Sequence, residues 1–172
     1  MPEQFFKHFP TIDYDPTGNK NTKSIRDILI RVKVKDTVRG QRAIFSKYDV
    51  KEGQRPEDVA YEEYGDPGLH WIVLMMNEIT DPYYDWPMGL RDLETFVASK
   101  YTDINATHHH EIAQSSGDTN TKIHVDSSTV GAEAITNYEY EESVNDKKKQ
   151  IRLLDPGYIT QITNEFVSEV NS

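Results

Sequence analysis

The sequence predicts an α+β fold: a strand–helix–helix core, preceded by an extended N-terminal arm and helix and followed by a C-terminal β-hairpin plus helix. Three observations predict it. Between Tyr48 and Asn77 the apolar pattern passes from strand-like alternation to two helical stripes separated by Gly65. The first fourteen residues carry Phe5, Phe6, Phe9, Ile12 and Tyr14 with no helical stripe. The last forty or so carry two short alternating runs and then a stripe of period 3.6.

In chain order, residues 1–23 read as extended, closing on the turn formers Asp15, Pro16, Thr17, Gly18 and Asn19. Ser24 stands as a helix cap before Ile25, Ile28, Leu29 and Val32 at i, i+3, i+4, i+7 spacing, although Val32, Val34 and Val38 also suit a strand. Ala43 to Val50 is a strand that Gly53 ends. Pro56 fits a first helical position, where its missing N–H costs nothing, and Glu57 and Asp58 complement the positive helix end. Gly65 closes that helix in a left-handed conformation, and Asp66 with Pro67 opens the next, apolar nearly all round from Leu69 to Met76 and therefore buried. Leu90, Leu93, Val97 and Tyr101 mark a further amphipathic helix. The polar stretch 102–133 holds strand candidates at His108–Ile112 and Lys122–Val125. Ala134–Ser143 and Lys149–Leu154 are expected to form a hairpin across Asn145–Asp146, and Asp155–Pro156 to start a final helix striped by Ile159, Ile162, Phe166 and Val170. The expected organisation is an arm and helix over 1–43, the core and its following helix over 44–101, and the hairpin region with the last helix over 102–172.

Only 36% of the 172 residues are apolar, which points to a thin core with much surface left to solvent or to partners. The absence of cysteine excludes disulfides and thiolate metal sites. No apolar run approaches the roughly 20 residues of a membrane helix, and Glu3, Lys7 and Pro10 do not suit a signal peptide, so a soluble protein made inside a cell is expected, with no membrane partner. Residues 1–55 hold 12 Lys/Arg against 7 Asp/Glu, whereas 56–172 hold 7 against 22. That acidic bulk argues against nucleic acid as a partner.

Candidate chemistry is sparse. In His108–His109–His110 alternation on a strand lets only His108 and His110 converge, two ligands where zinc takes three or four. His110-Glu111 begins an H-E-x-x-H-like run, but Gln114 stands where the second histidine is required. Asp13 to Gly18 resembles the start of a calcium loop, yet Ser24 occupies the position of the bidentate glutamate, so a plain turn is expected. Glu62, Glu63, Glu78, Asp81 and Asp85 read as solvated acids. No metal, cofactor or catalytic residue is therefore expected, and the chain does not read as an enzyme. Recognition is expected of aromatics instead: Phe5, Phe6, Phe9 and Tyr14 of the arm, and Tyr83, Tyr84 and Trp86 of the DPYYDWP loop, which combine apolar area with polar tips.

Tyr48, Val50, Gly53, Val59, Ala60, Tyr64, Gly65, Leu74 and Asn77 resemble the LysM module, Y-x-V-x-x-G, a Val-Ala pair, Y-G, then Leu and a final Asn. The usual Asp-Thr after the glycine is Gln54-Arg55 here, and the return strand is missing or displaced into Asp85–Met88. Followed by NEITDPYYDWPM and flanked by FFKHFPTIDY and NDKKKQIRLLDPGYITQITNEF, this core resembles the small LysM-bearing baseplate wedge subunits of T-even-like contractile-tailed phages. The resemblance implies a structural role with no chemistry of its own: joining other baseplate wedge proteins in a six-fold assembly, with the tail hub as a further candidate partner. It also implies a place in the virion tail after assembly in the host cytoplasm. The alternative is a peptidoglycan-binding module reading glycans through Gly53–Pro56 and Asn77–Pro82. A cell-wall hydrolase has only the LysM analogy behind it.

Overall fold

The computed structural model describes residues 5–34, 38, 40–113 and 121–172. They divide into two compact units, the first made of the described residues of Met1–Val50, Gln54–Asp85 and Gln150–Ser172, the second of Lys51–Gly53 and those of Trp86–Lys149. Among the described residues no helix is long and apolar enough to cross a membrane.

The first unit opens with a 3-10 turn, Phe5–His8, and an antiparallel hairpin of β1 (Thr11–Tyr14) and β2 (Lys23–Arg26). The helix expected from Ser24 is thus not formed. Ile25 lies directly opposite Ile12, and the helical spacing of Ile28 and Leu29 follows a strand end and a turn. Stiff β-branched side chains at the paired positions favour the pleat over a helix. The turn between the strands is organised by Asp15, which accepts N–H bonds from Thr17, Gly18 and Lys20, as expected of a plain turn. Those bonds, Thr17 foremost, hold the Asp15 carboxyl below its usual range.

β3 (Phe45–Asp49) leads to α1 (Pro56–Tyr64), which starts at Pro56, with Asp58 accepting the Arg55 N–H, and ends at Gly65 in the left-handed region at φ 76°. Asp66 accepts the Gly68 N–H to cap a 3-10 turn, which runs into α2 (His70–Met76). The strand paired with β3 is β7 (Gln150–Leu154), antiparallel, with Tyr48 opposite Ile151. Asp85–Met88, the expected return segment, is not a strand. After a 3-10 turn, α5 (Ile159–Val170) buries Ile162, Phe166 and Val170 on the expected stripe. Together with Phe9, Ile44, Trp71, Ile72, Met76 and Leu154 they make one core.

The second unit holds α3 (Leu90–Lys100), a three-stranded antiparallel sheet in the order β5 (Lys122–Val125), β4 (Thr107–Ala113), β6 (Glu133–Thr136), and α4 (Asn137–Lys149). The hairpin expected across Asn145–Asp146 does not exist, because that sequence lies inside α4. The missed signal is a capping box at Thr136 to Glu139. The Thr136 hydroxyl accepts the Glu139 N–H, and the Glu139 carboxylate accepts the Thr136 N–H. Lys147, Lys148 and Lys149 complete the helix at its negative end.

Candidate functional site

The N-terminal aromatics are divided between core and surface by the 3-10 turn that carries them. Phe5 meets Phe9 edge-on at 5.1 Å, Phe166 at 5.4 Å and Trp71 at 5.5 Å, while Trp71 and Phe166 lie 4.8 Å apart. Phe9 is buried and Phe5 half-buried. The arm is tied down further by the Arg26 guanidinium, which donates to the Phe9 carbonyl at 2.6 Å, and by the Asp27 N–H on the Pro10 carbonyl. Phe6 and Tyr14 stay exposed.

All eight residues of β1 and β2 are exposed. Because side chains alternate along a strand, the opposed pair Ile12 and Ile25 shares one face with Tyr14; the three are 40%, 41% and 52% exposed. Beyond the hairpin Ile28 is also exposed, and Leu29 is 85% exposed. A free two-stranded ribbon is marginal in water, and exposed apolar area on it adds to that cost. The exposure of Ile25, Ile28 and Leu29 was not legible in the sequence, where their spacing assigned them to a helical stripe.

The second cluster follows Asn77. The Asn77 amide donates to the Val73 and Arg152 carbonyls, both at 2.8 Å, and its carbonyl oxygen accepts the Arg152 N–H at 2.9 Å. The chain then turns at Glu78 (φ 57°) and closes a tight bend, in which the Asp81 carbonyl accepts the Tyr84 and Asp85 N–H groups and its carboxylate that of Tyr83. The bend presents Tyr83, 86% exposed, and Tyr84, whereas Trp86 is buried. On the loop after β3, the Tyr48 hydroxyl lies 3.0 Å from the Gln54 carbonyl oxygen and 3.2 Å from the Glu62 carboxylate, and Gln54 is itself buried. The seven expected recognition residues thus fall into an exposed set (Phe6, Tyr14, Tyr83, Tyr84) and an inward set (Phe5, Phe9, Trp86).

In the second unit, Glu141 is buried and accepts bonds from Lys100 Nζ and the Tyr101 hydroxyl, both at 2.7 Å. Burial raises its pKa, but the bonds from Lys100 and Tyr101 outweigh burial and leave the carboxyl below its ordinary value. The histidines depart from simple alternation. A register shift between Thr107 and His109 brings the neighbouring His108 and His109 together, with their Nδ1 atoms 2.8 Å apart. His108 stacks on Tyr140 at 3.9 Å and His109 on His124 at 4.1 Å. The pair that converges is therefore not His108 and His110. No group of three or more His, Asp or Glu side chains suited to a metal occurs among the described residues. Gln114 lies outside them.

The family model described as base plate wedge protein 53 matches residues 4–117, a span that includes the β1–β2 hairpin, β3, α1, α2 and the exposed tyrosine bend. A curated relative, the baseplate wedge protein gp53 of Enterobacteria phage T4, is 35% identical over 104 residues. The aligned part covers 58% of this chain and 52% of the relative, so the chain spans about half the length of the curated relative it matches. On the strength of a match that runs through both exposed clusters, the chain belongs to the base plate wedge protein 53 family.

Proposed function

We propose that this chain is a structural component of a phage tail baseplate wedge that joins neighbouring wedge proteins as the tail assembles in the host cytoplasm. Its partners on this reading are other wedge proteins and the tail hub in a six-fold baseplate, and its final location is the virion. The observation that carries the reading is the β1–β2 hairpin, whose exposed Ile12, Tyr14 and Ile25 face stands beside Ile28 and Leu29. Water-exposed aliphatic and aromatic area on a marginal ribbon is stabilised when a neighbour covers it. Tyr83 and Tyr84 supply a second anchor of the residue type that dominates interface energetics.

The core also supports a LysM-like reading in a modified form. β3, α1, α2 and β7 follow the order strand–helix–helix–strand, with the second unit inserted between α2 and β7. Peptidoglycan binding, the alternative, is disfavoured by Gln54, which is buried and bonded to Tyr48 where a glycan-reading loop would present its side chains outward.

A pull-down with the full chain as bait tests the reading, against lysate containing the identified tail proteins of the same genome and, in parallel, against insoluble peptidoglycan. Salt-resistant retention of one or two tail proteins is expected, and the double variant Ile25→Asp, Leu29→Asp loses it with an unchanged melting curve. Saturable peptidoglycan binding without protein retention would replace the assembly role by the glycan role.

A further inference from the structure

A second feature of the first unit deepens the assembly reading and rests on it: the extended segment 30–34. Its side chains alternate as in a strand, with Ile30, Val32 and Val34 half-buried against the core and Arg31 and Lys33 exposed. Among the described residues it joins no sheet, and its backbone N–H and C=O groups make no hydrogen bond. Beside it runs a groove of about 430 Å³, floored by Val32, Val34, Met75, Met76, Ile162 and Phe166. Arg31 and Lys33 lie on one rim, and Glu165 and Glu169 on the other. Lys33 has an exposed ion pair with Glu78 at 3.7 Å, and Glu165 accepts from Gln161.

We propose that this groove receives an extended segment of a neighbouring assembly protein, paired along residues 30–34 and carrying acidic side chains at alternate positions between apolar ones. Main-chain pairing to an extended segment that has no backbone partner among the described residues supplies affinity, and the pockets for alternate side chains supply selectivity. The period-two pattern fixes what the occupant looks like. Residues facing Ile30, Val32 and Val34 enter the apolar floor, while those directly opposite Arg31 and Lys33 stand outward beside two cations. Carboxylates there gain charge-assisted cross-strand contact, whereas lysines would be repelled. The exposed Lys33–Glu78 pair is screened by solvent and yields readily to such a competitor. The site also lies in the basic part of an otherwise acidic chain, residues 1–55.

The probe is a blocked heptapeptide, Thr-Val-Glu-Val-Glu-Val-Thr, with a control carrying lysine at both glutamate positions, titrated into the full chain at low salt. Amide exchange and NMR shifts are followed. The glutamate peptide is expected to protect amides within 31–34 and to bind about tenfold more tightly than the control, a gap that narrows as salt rises. Lys33→Glu, which leaves Arg31 in place and replaces an exposed ion pair with Glu78, is expected to abolish the preference. Equal binding of both peptides, or binding without protection at 31–34, would overturn the proposal. Concentration-dependent self-association abolished by Lys33→Glu would overturn it in favour of a second copy of this chain as occupant. In the pull-down, tail proteins retained equally by Lys33→Glu sink the groove and leave the assembly role standing. Tail proteins not retained by the unaltered chain sink the assembly role, whatever the peptide does.

Discussion

Replacing Asn77 by alanine removes three hydrogen bonds at once and is expected to destabilise the first unit by about 3 kcal/mol. The Asn77 side chain holds α2 and β7 together across 75 residues of sequence, through two 2.8 Å bonds to the Val73 and Arg152 carbonyls and one 2.9 Å bond from the Arg152 N–H. Each such bond contributes roughly 1 kcal/mol net, and a buried group left unpaired costs about 1–3 kcal/mol. The site is only half-buried, so water recovers part of the loss and the sum stays near the lower bound. In a chain of this size about 2–4 °C per kcal/mol is expected, so the melting temperature falls by roughly 6–12 °C. The amide orientation follows from its neighbours, since an N–H must meet the oxygen and two carbonyls must meet the nitrogen. Asn77→Asp is the sharper control: it would turn a carboxylate oxygen towards two carbonyl oxygens, so this near-isosteric change is expected to cost at least as much as alanine at neutral pH. Urea and thermal melts followed by tryptophan fluorescence measure both variants. A loss below about 0.5 kcal/mol for Asn77→Ala, or an aspartate variant more stable than the alanine one, would refute the clamp.

Thr136→Ala removes the N-cap of α4 and is expected to destabilise that helix by about 1 kcal/mol, measured by urea titration of ellipticity. Acid is expected to weaken the sheet of the second unit in two steps. Burial first, then the charges of His124 and His108, press the His109 pKa below 6.5, against Glu111, which raises it. The unfolded chain therefore takes up this proton first, and stability falls as pH drops from about 6.5 towards the lower folded value. Glu111, held below the usual carboxylate range first by its bond from Lys122, and Glu141 add a second loss as pH falls through their folded values. Hydrogen exchange of β4 amides between pH 7.5 and 3.5 reads both steps. His109→Gln is expected to remove the upper one, and an unchanged upper step would rule out the His109 stack as its source.

The sequence by itself determined what neighbouring residues decide. Pro56 and Gly65 bound α1 where a proline without an N–H and a glycine at positive φ are tolerated at no cost. Asp66 capped the turn into α2, and the Ile159 to Val170 stripe became the buried face of α5. The aromatic arm was legible as a cluster, and Tyr83, Tyr84 and Trp86 as one aromatic loop, of which Trp86 is buried. Their division was not, because only packing against Trp71 and Phe166 turns Phe5 and Phe9 inward. Pairing between distant segments was beyond local pattern too. The alternation in Phe45–Asp49 and Gln150–Leu154 suits any strand partner, and the choice of β7 for β3 rests on contacts such as the Asn77 clamp, which no short window contains. Ile25, Ile28 and Leu29 fit a helical stripe and an exposed ribbon equally well. The Ile12–Ile25 pairing decided between them, since a helix would have forfeited the cross-strand bonds that β1 supplies.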